Sequence, residues 1–317
     1  TLFRSADVGR SYIYPAMARS FREAGMQVAT HFSYDPTYMA YANTEYGTHY
    51  MNLAYTPQKA LSLMISSAVF HRVPMYKSFG RYPDNTSFDV FRVDDERDLA
   101  EMITEKQFIY TNNTSSQIPA IDKLEQVAGS GNSTVVQYEG TGAYFLDRIR
   151  DGVWRLEVMP DAIWIKDPFE RTSLKKEIAV INWRTWPMTI QLPDLGSVYA
   201  IQALNAGNNL SGKAIEKTIQ VKPGTYVLTR QGITSGIHRE DKWKNILIGE
   251  YVAPQASVTK IHVLHQPVVE LSSGGDYQVS ATIVSVQPPE DVELHVWVGF
   301  RPQVIKMTKQ LGYTYTA

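Results

Sequence analysis

The chain has 317 residues, 44% hydrophobic and 20% charged, an ordinary globular composition that excludes a disordered chain and is long for one hydrophobic core. A formal net charge of −1 and a pI near 6.6 give no electrostatic basis for binding nucleic acid or an anionic membrane. There is no cysteine, hence neither disulfide nor thiolate metal site, and no apolar run reaches the ~18 residues of a membrane-spanning helix.

Taken in chain order, residues 11–25 place Ile13, Ala16, Met17, Phe21 and Ala24 at helical spacing, with Gly25 as a stop. The mostly apolar run 26–35 predicts a strand buried on both faces. A short helix is expected over 37–46 and a second strand of the same kind over 49–55. Thr56 and Pro57 then supply an N-cap and a first-turn proline for the helix "QKALSLMISSAVFHRV". An aromatic and glycine-rich stretch follows Pro74. Beyond it the spacing predicts a helix over 95–104, a strand over 107–113 and a helix over 120–128 ending at Gly129. Alternation of this kind calls for a parallel sheet with crossover helices.

From Ser133 the texture changes to short apolar runs broken by Gly, Pro and Asp, the pattern of an antiparallel sandwich. Gly249 to Gln255 reads as a linker, and three further strand-like runs lead to the end. The chain opens without methionine and closes within a strand-like run, so it reads as a piece of a longer protein.

Several chemistries lack their motif. No GxGxxG or GxxxxGK[ST] is present, so a nucleotide loop is not indicated. A GxSxG elbow is also missing. The seven histidines show no HExxH spacing, and His262 and His265 would face opposite sides of one strand. No metal and no cofactor is therefore expected. Asn85-Thr-Ser and Asn113-Thr-Ser fit the glycosylation sequon. What stands out is tyrosine, 19 residues of it, concentrated between His31 and Pro57. A tyrosine joins an apolar face to a hydrogen-bonding tip, which suits sugars with CH faces and hydroxyl edges.

The stretches "MQVATHFSYDP", "NTEYGTHYMNLAYTPQKALSL", "GTGAYFLDRIRDGVWRLEVMPDAIWIKDPF" and "VINWRTWPMTIQLPDLG" resemble the later part of large secreted glycoside-hydrolase-like proteins of polysaccharide-degrading bacteria. Those carry a (β/α)8 barrel followed by β-sandwich domains. The resemblance implies an α/β plus all-β chain. Residues 1–130 would be the C-terminal part of a TIM-type (β/α)8 barrel, 131–248 a β-sandwich, and 249–317 an incomplete immunoglobulin-like β-sandwich. An upstream barrel part of the same protein would complete it.

On that resemblance "MQVATHFSYD", "HYMNLAY" and "QFIYTNN" would be barrel strands six to eight. Residues at strand carboxyl ends build barrel active sites, which implicates His31, Tyr34, Asp35, Asn52, Tyr55 and Asn112 in substrate binding. Glycoside hydrolysis ordinarily takes two carboxylates. The run aligned with strand seven ends in Asn-Leu-Ala-Tyr without a glutamate, leaving Glu45 as the catalytic candidate here and the principal acid upstream. The function implied is part of a glycoside hydrolase acting on a polysaccharide or oligosaccharide, this segment positioning substrate. The alternative is a non-catalytic carbohydrate-binding or cell-surface protein. Either reading implies a secreted, periplasmic or cell-surface location.

Overall fold

The computed structural model describes residues 2–3, 9–31, 33–44, 50–169, 173–267, 274 and 276–317. The architecture is predominantly β, with two α-helices among the described residues, α1 (Ile13–Glu23) and α2 (Pro57–Arg72). Both helices form where their apolar spacing and punctuation predict them. Gly25 closes α1 at φ +80°, the left-handed conformation a helix stop exploits. Pro57 opens α2 in its first turn.

The barrel units expected over residues 1–130 do not form. Among the described residues of the first predicted strand only Thr30–His31 joins a ladder, pairing in parallel with Leu2–Phe3, while Gln27 and Val28 lie exposed. The second predicted strand folds back on itself instead. Asn52 Oδ1 accepts from Ala54 N at 2.8 Å, and Thr56 Oγ1 accepts from Asn52 N at 2.8 Å. Those side-chain bonds turn the backbone away from any ladder. The expected helix over 37–46 is reduced, among described residues, to the 3-10 turn Ala40–Ala42.

Two further helices prove to be strands. Asp94 Oδ1 accepts from Arg97 N at 3.1 Å and Asp98 sits at φ +49°, so 95–98 is a turn. Leu99–Ile103 behind it is a strand with both faces buried, and a short continuous apolar run of that kind has no period to separate it from a helix. Near 120, a single 3-10 turn at Ile121–Lys123 precedes the strand Gln126–Gly129. Gly129 is no helix stop. A Cβ there would lie 2.4 Å from the Tyr110 ring, so the glycine lets an aromatic ring cross the strand.

These strands belong to one ten-stranded sheet. Its order runs Ser211–Lys213, Tyr199–Ala203, Gly224–Arg230, Val153–Val158, Tyr144–Arg150, Gln126–Gly129, Gln107–Tyr110, Leu99–Ile103, Phe91–Asp94, Ser87–Phe88. Every neighbouring pair is antiparallel except Gln107–Tyr110 with Gln126–Gly129, which run parallel. Because Gln126–Gly129 pairs with Tyr144–Arg150, the sheet continues without interruption through residue 130.

Alternation along the strands sends side chains to two cores. On one face Phe108, Tyr110, Leu146, Trp154 and Leu156 meet a smaller sheet of Val136–Tyr138, Trp186–Ile190 and Thr218–Val221. On the other face Ala100, Met102, Ile109 and Ala128 meet Leu61, Ile65 and Val69 of α2. The region beyond Gly249 adds a four-stranded sheet (His262–Leu264, Ser280–Val284, Thr314–Thr316, Thr308–Lys309) and a hairpin of Glu293–Val298 with Arg301–Lys306.

Helix α1 is capped from a distance. Tyr12, at its N-terminus, has no capping side chain of its own, but Asp98 Oδ1 accepts from Ser11 N at 2.6 Å and Tyr12 N at 3.1 Å. A carboxylate in that position also opposes the helix dipole.

Candidate functional site

Two side-by-side turns, 112–116 and 131–134, form the wall of a trough of about 880 Å³. Their residues explain why they lie together. Asn113 Oδ1 accepts from Asn132 N at 2.7 Å, Thr114 N donates to Asn132 O at 2.9 Å, and Thr134 Oγ1 donates to Ser116 O at 2.8 Å. Gly131 makes the approach possible. It sits at φ +80°, and a Cβ would fall 2.7 Å from Asn113 Oδ1.

The first turn is anchored from below by a buried acid. Glu101 is 2% exposed and accepts from Thr114 Oγ1 at 2.8 Å and Ser116 Oγ at 2.7 Å, with Arg92 Nη1 at 3.3 Å as its counter-charge. A carboxylate held by three donors orders the turn it supports.

The trough continues into a neighbouring hollow of about 410 Å³, and the two share Asn112, Asn113, Asn132, Tyr138, Glu139 and Leu311. Trp164 lines the far hollow, its Nε1 donating to Tyr55 O at 3.0 Å. Glu139 is half-buried and its Oε2 accepts from Gly312 N at 3.3 Å. Tyr138 is fully buried, and desolvation first, then the Asp161 charge, push its phenol well above the ordinary value. It therefore stays protonated and takes no part in proton transfer near neutrality.

Which groups face a ligand follows from which are already used. Asn112 is engaged at both ends of its amide: its Nδ2 donates to Arg97 O at 2.9 Å and its Oδ1 accepts from Asn113 N at 2.8 Å. Asn113 and Asn132 each have their carbonyl oxygen committed to a backbone N–H, at 2.7 Å in both cases. An N–H can only donate, so the amide orientation is fixed and each Nδ2 is left as a donor. Neither Nδ2 has a partner among the described residues. With the Gln137 amide and Arg97, they give the trough a donor-rich wall.

The other residues implicated by sequence fall in two more places. Tyr34, Asp35, Asn52 and Tyr55 are close together, but as a brace. Tyr34 Oη accepts from Leu53 N at 2.7 Å, Asp35 Oδ2 accepts from Met51 N at 2.6 Å, and Asn52 Nδ2 donates to Asp35 O at 2.8 Å. Asp35 and Asn52 are buried, Tyr55 is 6% exposed, and burial pushes its phenol up to about 12. Tyr34 is half-exposed, its phenol also raised chiefly by desolvation. His31 lies apart, in a hollow of about 480 Å³ between α1 and α2, with Nε2 at 2.9 Å from Ser33 O. Only Asn112 reaches the trough. Glu45 lies outside the described residues.

Asn132, Gln137 and Glu139 are trough residues that sequence reasoning does not assign to binding, and Asn113 enters it only as a strand-end residue beside Asn112. Their signal lies in the amide- and hydroxyl-rich runs "NNTSS" and "GNST"; the first is read as a strand end that supplies Asn112 and as a sequon, the second is not read for binding. Among the described residues lining the trough and its hollow, Glu139 is the one carboxylate, and no group of three His, Cys, Asp or Glu there could hold a metal ion. The arrangement can hold a polar ligand by directed hydrogen bonds. It does not supply the acid and base pair of glycoside hydrolysis from its own walls.

The chain matches no protein-family model, no curated protein and no solved structure.

Proposed function

We propose that this chain binds carbohydrate in the trough between the 112–116 and 131–134 turns, as a recognition surface and not as a hydrolytic centre made from these residues. The observation that carries the reading is the pair of oriented, uncommitted amide donors of Asn113 and Asn132, set beside Glu139 and flanked by Trp164. Sugar hydroxyls pair with fixed amide donors and a carboxylate acceptor, while an indole offers a face for ring CH groups. One carboxylate argues for binding over glycosidic cleavage. The matching place of action is the cell surface, the periplasm or the medium, where polysaccharide is encountered.

A titration of the chain with neutral oligosaccharides by calorimetry tests this. Binding should weaken roughly five- to tenfold in Asn113→Ala and again in Asn132→Ala, each lost hydrogen bond to a ligand being worth about 1–1.5 kcal/mol. Saccharide binding indifferent to both changes, or release of reducing ends abolished by Glu139→Gln, would overturn it.

A further inference from the structure

A second cavity, of about 510 Å³, lies well apart in lining from the trough and shares no residue with it. It is framed by the 205–208 turn, the Lys222-Pro223 turn, Arg239, the 249–255 segment and Trp183. Its lining holds two cations, Lys222 and Arg239, and no acid. In a chain with net charge −1 that is a local reversal of sign. Arg239 does meet Glu240, Nε to Oε1 at 3.3 Å, but both side chains are more than half exposed, so the pair is weak and leaves the rest of the guanidinium open.

The polar floor is oriented. Asn205 is 9% exposed, and its Oδ1 accepts from Thr225 N at 2.9 Å and from Asn208 Nδ2 at 3.3 Å. The backbone donor fixes which end of the amide is oxygen, so Nδ2 is a donor with no partner among the described residues. The close fit is built into the chain: a Cβ on Gly224 would lie 2.6 Å from Asn205 Oδ1. Lys222, Arg239 and Asn205 Nδ2 thus give this floor and rim three donors.

The aromatic wall has the opposite character. Trp183 and Tyr251 stand edge to face, ring centroids 6.1 Å apart. Each is pinned by its polar tip, Trp183 Nε1 to Pro254 O at 2.9 Å and Tyr251 Oη to Val158 O at 2.9 Å. Their donors are used up, so what they offer is ring surface on a rigid mount.

We infer that this cavity binds the uronate residue of an acidic glycan, with its carboxylate between Lys222 and Arg239 and its ring against Trp183. A planar carboxylate suits the guanidinium fork, Asn205 Nδ2 adds a donor for a ring hydroxyl, and the indole takes the CH face. The inference does not depend on the trough.

The test uses the whole chain with an oligogalacturonate, its neutral counterpart and a sulfated oligosaccharide, read by calorimetry and by the indole N–H resonances. The oligogalacturonate should shift the Trp183 resonance and leave that of Trp164 in place. Its affinity should exceed the neutral sugar's at least tenfold and fall at least tenfold in Lys222→Met and in Arg239→Gln, both surface changes that melting curves can show to leave the fold intact. Equal binding of acidic and neutral sugars, full uronate affinity in both variants, or stronger binding of the sulfated sugar would each overturn it. A shift at Trp164 without one at Trp183 would put the ligand in the trough and overturn it too.

Discussion

Tyr313 donates its hydroxyl to Asp161 Oδ2 at 2.6 Å, across a sequence separation of 152 residues. The same oxygen accepts from Trp186 Nε1 at 2.7 Å, and the partner oxygen from Thr141 N at 2.7 Å. Asp161 is 2% exposed, and desolvation raises its pKa against the pull of these donors. One buried carboxylate thus ties the turn before the last strand to the Trp186–Ile190 strand and to the Thr141 backbone.

Breaking that tie should be costly. Tyr313→Phe should lower stability by about 1.5–3 kcal/mol, the range for a hydrogen bond to a charged group, and Asp161→Ala by more, since it strands the Trp186 and Tyr313 donors. Urea midpoints measure both. An unchanged midpoint in Tyr313→Phe would mean that the terminal strands are held by other contacts.

Lys59 makes stability depend on pH. It is 1% exposed, its Nζ donates to Tyr50 O at 2.5 Å, and desolvation pulls its pKa down to about 8, with Asp35 and Asp98 opposing. The unfolded chain, with an ordinary lysine, holds more protons than the folded one above pH 8. Stability should therefore rise by roughly 2 kcal/mol between pH 8 and 10. Buried phenols such as Tyr50, raised chiefly by desolvation, act the other way above their ordinary value of about 10, so a maximum is expected. Lys59→Met should abolish the rise in melting temperature; a rise that survives it would assign the effect elsewhere.

Asp98→Ala should fray α1. The loss of a side-chain cap and of a charge at the helix N-terminus costs about 1–2 kcal/mol together. Hydrogen exchange at Tyr14 to Met17 should quicken while α2 keeps its protection. Asp98→Asn, which keeps the acceptor and drops the charge, should lose less.

Gly131→Ala separates strain from collision. Alanine at φ +80° costs about 1–2 kcal/mol in strain alone, and its Cβ would also displace the Asn113 amide. Gly236→Ala carries the strain at φ +56° with open space around it. Both should melt earlier, but only Gly131→Ala should weaken neutral saccharide binding. Equal binding by the two variants would detach Asn113 from the ligand.

Local punctuation was legible in the sequence. Pro57 and Gly25 mark the two α-helices, and the short apolar runs after Ser133 mark strands, because these signals act within a few residues. The strands at Leu99–Ile103 and Gln126–Gly129 were not legible. Both are buried on two faces, so their apolar pattern lacks the alternation that a half-exposed strand shows. The trough failed for another reason. Asn113 and Asn132 are brought together by Gly131 and by Glu101 from a neighbouring strand, and nothing local to either asparagine announces that meeting.

The lone parallel pairing in the large sheet, Gln107–Tyr110 beside Gln126–Gly129, obliges the chain to leave one strand end and return to the opposite end of its neighbour. The 112–116 turn belongs to that return path, so the trough's near wall is a connector and not part of the ladder. Connector length and sheet geometry are then separate variables. Residues inserted around Gln117 to Pro119, on the solvent side of the return, would raise the wall and reshape ligand preference while every strand kept its partner. The same sheet could in this way present a family of differently proportioned troughs, its stability and its selectivity evolving on different stretches of chain.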